Sequence, residues 1–197
     1  GKQRAVEVFR RAGGVLRTSQ ALEAGVHPRD LYALRDAGVL ASVSRGVYRL
    51  AELPPLSLPD LVTVAARVPK AVVCLISALH FHGLTTEIPH VVSIALLPGT
   101  SAPKLDWPPV AVYRFSRPMF EAGIETHSRD GVRIRVYGRA KTVADCFKFR
   151  NRLGIDVAIE ALRTGLNEGS FKPAEVMQFA KICRVDKVLR PFLEALL

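Results

Sequence analysis

The sequence predicts an α+β protein in two parts: a short helical domain closed by a hairpin, then a small antiparallel sheet followed by several helices. Three observations predict it. Val15 to Leu50 divides into helix, turn, helix and hairpin. Pro54, Pro55 and Pro59 interrupt the chain directly afterwards. Beyond them, period-two strands between His90 and Tyr137 give way to helical periodicity that runs to the end. The domain limits follow as residues 1–52 and 53–197.

Lys2 to Ala12 fits a first helix, with Ala5, Val8, Phe9 and Ala12 as its apolar stripe. Thr18 to Ala24 is a second, with Thr18 or Ser19 as N-cap and Gly25 as its stop. Pro28 suits the first position of a third, which Gly38 closes, and Asp30 falls where the helix dipole favours an anion. Val39 to Leu50 reads as a hairpin turning at Ser44-Arg45-Gly46. This order is that of a winged helix-turn-helix. Leu31 and Leu34 point inward, which turns His27, Arg29, Tyr32 and Arg35 outward, where base edges and phosphates are within reach. Arg45 sits at the wing tip for a phosphate or a minor groove, and Arg49 is expected on the DNA backbone. Amides at the start of the Thr18 helix, around Ser19 and Gln20, are expected to hold a phosphate. The competing reading is a winged helix used only for protein contacts.

The chain of 197 residues carries a net charge of +10, which suits nucleic acid or another anionic partner. Residues 1–50 hold nine basic and four acidic groups, and residues 111–150 hold the same numbers. The winged helix therefore accounts for only one of two basic blocks. Cys74, Cys146 and Cys183 are scattered with no CxxC spacing, as expected of buried thiols in a reducing cytoplasm. Lys2 to Arg11 is amphipathic and basic rather than a signal peptide, and Ala71 to Leu79 is too short to span a bilayer.

In the second domain, Asp60 to Arg67 reads as a helix after a Ser57-Leu58-Pro59-Asp60 start. Ala71 to Ile76 reads as β-rich, and Ser77 to His82 as a short helix capped by Ser77. Val91 to Leu97 and Val110 to Phe115 are strands around a proline-rich loop that holds Trp107. Ile124 to Tyr137 is a hairpin with an Asp-Gly turn. In its second arm Val132, Ile134 and Val136 alternate with Arg133 and Arg135, so one face is basic. Thr142-x-x-Asp145 resembles a capping box opening Val143 to Arg150, and helices follow at Ile155–Leu166, Pro173–Cys183 and Val185–Leu197. Arg114, Arg133 and Arg135 are the candidates for a second contact surface, against the reading of a solvated face.

No catalytic or metal-binding constellation emerges, and no cofactor is expected. His80, His82 and His90 lack further ligands at metal spacing. A nuclease, the enzymatic alternative for a basic domain fused to a DNA reader, commonly needs Glu-x-Lys or Asp-x-Lys, and neither occurs. P-loop, GxGxxG and GxSxG motifs are also missing. The alternative that stays open is a DNA-targeted, nuclease-like enzyme with an unrecognised active site.

The segments TSQALEAGV, LYALRDAGVL, VSRGVYRL, SALHFHGLT and GRAKTVADCFKFRNRLG together resemble the AbiEi-type antitoxin family of type IV toxin–antitoxin systems. The most specific are Ser77-Ala78-Leu79-His80 through Thr85, and Thr142 through Cys146 with Gly154 following. The resemblance implies a repressor that binds inverted repeats in its own operator, as a monomer in solution that assembles cooperatively on double-stranded DNA. It implies a second domain that counters a co-encoded nucleotidyltransferase-like toxin without needing a stable complex. By the same resemblance, Thr18, Ser19, Gln20, Arg29, Tyr32, Arg35 and Arg45 become the DNA contacts, and the strand around Arg133 becomes a working surface of the second domain.

Overall fold

The structure, a computed structural model, describes the chain except for Gly13, residues 53–57 and Asp130, and except for the side chains of Val43 and Ser44. It divides into two compact units, Gly1–Pro55 with Lys104–Pro109, and Leu56–Pro103 with Val110–Leu197. The expected break at 52/53 adjoins residues 53–57, which lie outside the described residues, as do Pro54, Pro55 and Ser57.

In the first unit, α1 (Lys2–Arg11) buries Ala5 and Phe9, and Val8 and Ala12 pack at the edge of the same core. β1 (Val15–Arg17) follows; its three residues are too few for alternation to register in the sequence. α2 (Thr18–Glu23) begins one residue earlier than a Thr18 cap requires. Its N-cap is Arg17, whose backbone N–H donates to Gln20 Oε1 at 2.9 Å. Gly25 then takes φ +90°, a left-handed conformation that costs glycine no Cβ clash. α3 (Pro28–Asp36) starts on its proline, with Asp30 in the first turn and Leu31 and Leu34 buried, as expected. β2 (Leu40–Ser44) and β3 (Val47–Leu50) form the hairpin, bulged between Ser42 and Ser44. β1 pairs antiparallel with β3, giving the order β1-β3-β2.

The second unit holds α4 (Leu58–Arg67), β4 (Val72–Val73), α5 (Leu75–Phe81), β5 (Val92–Leu96), β6 (Val110–Arg114) and α6 (Arg117–Glu121). The hairpin β7 (Ile124–Arg129) and β8 (Val132–Tyr137) comes next. Then follow α7 (Arg139–Lys148), α8 (Arg150–Leu153), α9 (Ile155–Asn167), α10 (Pro173–Ile182) and α11 (Asp186–Leu196). The strands form one five-stranded sheet, β6-β5-β4-β8-β7. The α+β reading holds. Pairs β4–β5 and β7–β8 are antiparallel, and the topology adds two parallel pairs, β4–β8 and β5–β6.

Successive strand residues face opposite sides, so the sheet supports two cores. Val72 joins Leu79, Tyr137, Phe147 and Leu162 on one side, while Val73 joins Ile134 and Val136 against Leu61, Ala65 and Phe81 of α4 and α5 on the other.

Two local expectations are corrected. Ser77 lies inside α5, which starts at Leu75 after a Cys74 N-cap. Its Oγ donates to Val91 O at 3.3 Å and accepts from Ser93 N–H at 2.8 Å, so it ties helix to strand instead of capping. The Thr142 capping box is also absent. α7 begins at Arg139, and the Thr142 hydroxyl donates to Tyr137 O at 3.2 Å. In both cases the hydroxyl is taken by backbone outside its own helix, from the β5 region for Ser77 and from the end of β8 for Thr142. Among the described residues, no helix is long and apolar enough to cross a membrane.

Candidate nucleic-acid interface

Proline at its first position and a buried Leu31–Leu34 pair fix how α3 rotates against its own core. Arg29, Tyr32 and Arg35 are therefore exposed, one turn apart along the outer face. Tyr32 keeps 42% of its surface open, a large aromatic side chain left uncovered. The Arg35 guanidinium lies 5.0 Å from the Tyr32 ring centroid and 3.0 Å from Asp36 Oδ1. Hydrogen bonds to Asp36 and to Tyr48 raise its pKa further above an already high value. Arg35 is thus pre-oriented by one aromatic ring, one carboxylate and the wing strand β3.

His27 takes a different role from the one expected. It is the N-cap of α3, with Nδ1 accepting from the Arg29 N–H at 3.1 Å. Its ring remains exposed, but one nitrogen is committed to holding the helix start. Gln20 is similarly engaged through Oε1 in the start of α2. Thr18 binds the wing: its N–H donates to Gly46 O at 2.8 Å and its Oγ1 at 3.2 Å. Ser19 is exposed beside it.

Arg45 stands exposed at the wing tip, followed by Gly46 at φ +73°. Arg49 does not reach the surface. Only 6% of it is exposed, and burial lowers its pKa. Arg49 lies on the central strand of the three-stranded sheet, paired with Val15 on one side and Ala41 on the other. Sequence reasoning missed Arg17. It is exposed at the end of β1, opposite Val47, the first residue after the wing turn. Its position directly before Thr18-Ser19-Gln20 was the available signal.

The second basic group does not form one patch. Arg133 is exposed, and Arg135 is half-buried with its guanidinium 5.9 Å from the Phe120 ring centroid. Arg114 lies on the edge strand β6, three strand spacings or roughly 14 Å from β8. It donates to Leu97 O at 3.0 Å and to Thr100 O, so it fastens the loop after β5. Lys141, counted by sequence among the basic residues, is wholly buried.

Among the described residues, no group of three or more histidine, cysteine or acidic side chains is arranged to hold a metal ion. His82 is buried with Nε2 at 2.8 Å from Tyr137 O, while His80 and His90 are exposed.

Helix, strand, helix, helix and hairpin, with cations on the outer face of the third helix and at the wing tip, define a winged helix-turn-helix domain. Residues 3–51, about a quarter of the chain, match the family model described as "Transcriptional regulator, AbiEi antitoxin". Across the chain, the crystal structure of the RV2827C protein from Mycobacterium tuberculosis is similar at 13% identity with a TM-score of 0.40, covering 96% of this chain and 79% of that one. No curated protein matches.

Proposed function

We propose that this protein is a DNA-binding transcriptional repressor that acts as the antitoxin of a toxin–antitoxin pair and carries out no catalysis of its own. It represses its own operon through inverted repeats, binding as a monomer in solution and cooperatively on the operator. The observation that carries the reading is the exposed Arg29–Tyr32–Arg35 face beside the Arg45 wing. With its side chains an α-helix such as α3 is about 10–12 Å across, which fits a major groove about 12 Å wide. Arg35 then reads a base edge, and Arg17 and Arg45 hold phosphates.

The second domain counters a nucleotidyltransferase-like toxin, with Arg133 and Arg135 as its working cations. This part rests on the resemblance of the Ser77–Thr85 and Thr142–Cys146 blocks. Three free, buried cysteines support a reducing, cytoplasmic setting.

The test is binding of the purified chain to the DNA upstream of its gene, across a salt series, against a scrambled duplex of equal length. Preferred binding that weakens steeply with salt is expected, because phosphate contacts release counterions. Equal binding to both duplexes would remove autoregulation.

A further inference from the structure

The second unit contains a cavity of about 440 Å³ between α4, α5, the β7 strand and the start of α7. Its lining changes character from one part to another. Leu61, Phe81 and Pro89 supply half-buried apolar surface, and exposed Arg129 and Arg139 supply two cations. His127 joins them, its ring 5.0 Å from that of Phe81 in an edge arrangement. Arg129 also lies over Phe81, 5.8 Å from the ring centroid. Cationic and aromatic groups therefore meet at one point, which suits a ligand with both a planar and an anionic part.

One neighbouring carboxylate is accounted for. Glu125 Oε1 is 3.0 Å from His127 Nε2. The other carboxylate oxygen rests beside Gly138, where an added Cβ would come within 2.6 Å of it. Glu125 thus fixes the His127 ring and sits at the head of α7. Among the described residues Arg139 has no carboxylate partner, and Arg129 donates to Ser128 O at 2.9 Å.

We infer that this cavity binds a nucleoside monophosphate, with the base against Leu61, Phe81 and Pro89 and the phosphate between Arg129 and Arg139. A space of 440 Å³ is far larger than a lone phosphate requires and lies in the range of small-molecule sites. Two guanidinium groups match a dianionic phosphate, for which arginine offers paired donors. Every residue involved belongs to the second unit, so the inference is independent of DNA binding by the first.

The test is isothermal titration of the full chain with each of the four nucleoside 5′-monophosphates, with the four matching nucleosides, inorganic phosphate and benzoate as comparison ligands. One-to-one binding of at least one nucleotide is expected, with its nucleoside and phosphate each at least tenfold weaker. Arg129→Ala with Arg139→Ala should weaken that nucleotide at least tenfold. Phe81→Leu should weaken it less but raise the relative affinity of phosphate. Arg163→Ala, an exposed cation on α9, should change nothing and so reports general attraction to a basic protein. Equal binding of phosphate and nucleotide, equal binding of benzoate, equal loss in the Arg163 variant, or no heat at millimolar nucleotide would each overturn the assignment. Circular dichroism of each variant separates lost binding from lost folding.

Discussion

Lys141 Nζ lies 2.8 Å from Asp145 Oδ2, and both side chains are completely removed from solvent. One turn of α7 holds the pair. Asp145 Oδ1 accepts from Cys183 Sγ–H at 3.3 Å, and the Lys141 ammonium lies 3.9 Å from the Tyr137 ring centroid. Both carboxylate oxygens are therefore satisfied, and the ammonium adds a ring face to its ion pair.

Lys141→Met should destabilise the second unit by about 3–5 kcal/mol, because it leaves a buried carboxylate without its counter-charge. The double variant Lys141→Met with Asp145→Leu should recover most of that loss, since neither charge then has to be desolvated. Urea unfolding of the wild type, both single variants and the double variant gives the coupling directly. Additive losses would mean that the two residues act separately.

Arg35→Ala should cost roughly 1–3 kcal/mol in operator binding and relax specificity at one base position. Arg45→Ala should weaken all duplexes about equally and reduce the salt slope by about one. Asp36→Asn should raise affinity, since Arg35 is ion-paired to a carboxylate that DNA phosphates would repel. Fluorescence anisotropy against operator and scrambled duplexes distinguishes the three. Unchanged affinity in both arginine variants would rule out α3 and the wing as the contact surface.

Two buried groups make stability depend on pH in opposite senses. Burial lowers the His82 pKa, partly offset by its hydrogen bond to Tyr137 O. The unfolded chain then binds the proton more readily, so stability present above about pH 6.5 is lost as pH falls through the folded value. Burial pushes the Asp145 carboxyl up to about 6, against the pull of Lys141 and Cys183. Its contribution is present below the unfolded value and is lost as pH rises through about 6. In wild type the two partly cancel. In the Lys141→Met, Asp145→Leu double variant only the His82 effect remains, and urea midpoints should fall more steeply from about pH 7 to about pH 5. Identical pH slopes in the two proteins would contradict this.

Gly165 is buried in α9 against Phe171, and an added Cβ would overlap that ring. Alanine is the better helix former by about 1 kcal/mol, but overpacking costs about 1–3 kcal/mol. Gly165→Ala should therefore lower the thermal midpoint despite improved helix propensity. Adding Phe171→Leu should return part of the loss. A midpoint raised by Gly165→Ala alone would show that the Phe171 ring moves aside freely.

The winged helix was legible in the sequence because its determinants are local. Pro28 and Gly38 bound α3, Leu31 and Leu34 set its inward face, and Gly46 turns the wing, all within twenty residues or so of one another in the chain. The alternation of Ile134 and Val136 with Arg133 and Arg135 was equally visible, because a strand separates its faces at every residue. Tertiary structure decided everything that depended on pairing across the chain. It buried Arg49 on the central strand of its sheet, turned Ser77 from a cap into a strand tie, and enclosed Lys141 with Asp145. It also brought Phe81, His127, Arg129 and Arg139 around one cavity from α5, β7 and α7. Propensity and periodicity report how a segment meets its near neighbours. Which distant side chain satisfies a buried charge or lines a cavity follows only from sheet order and packing, and no local pattern encodes that.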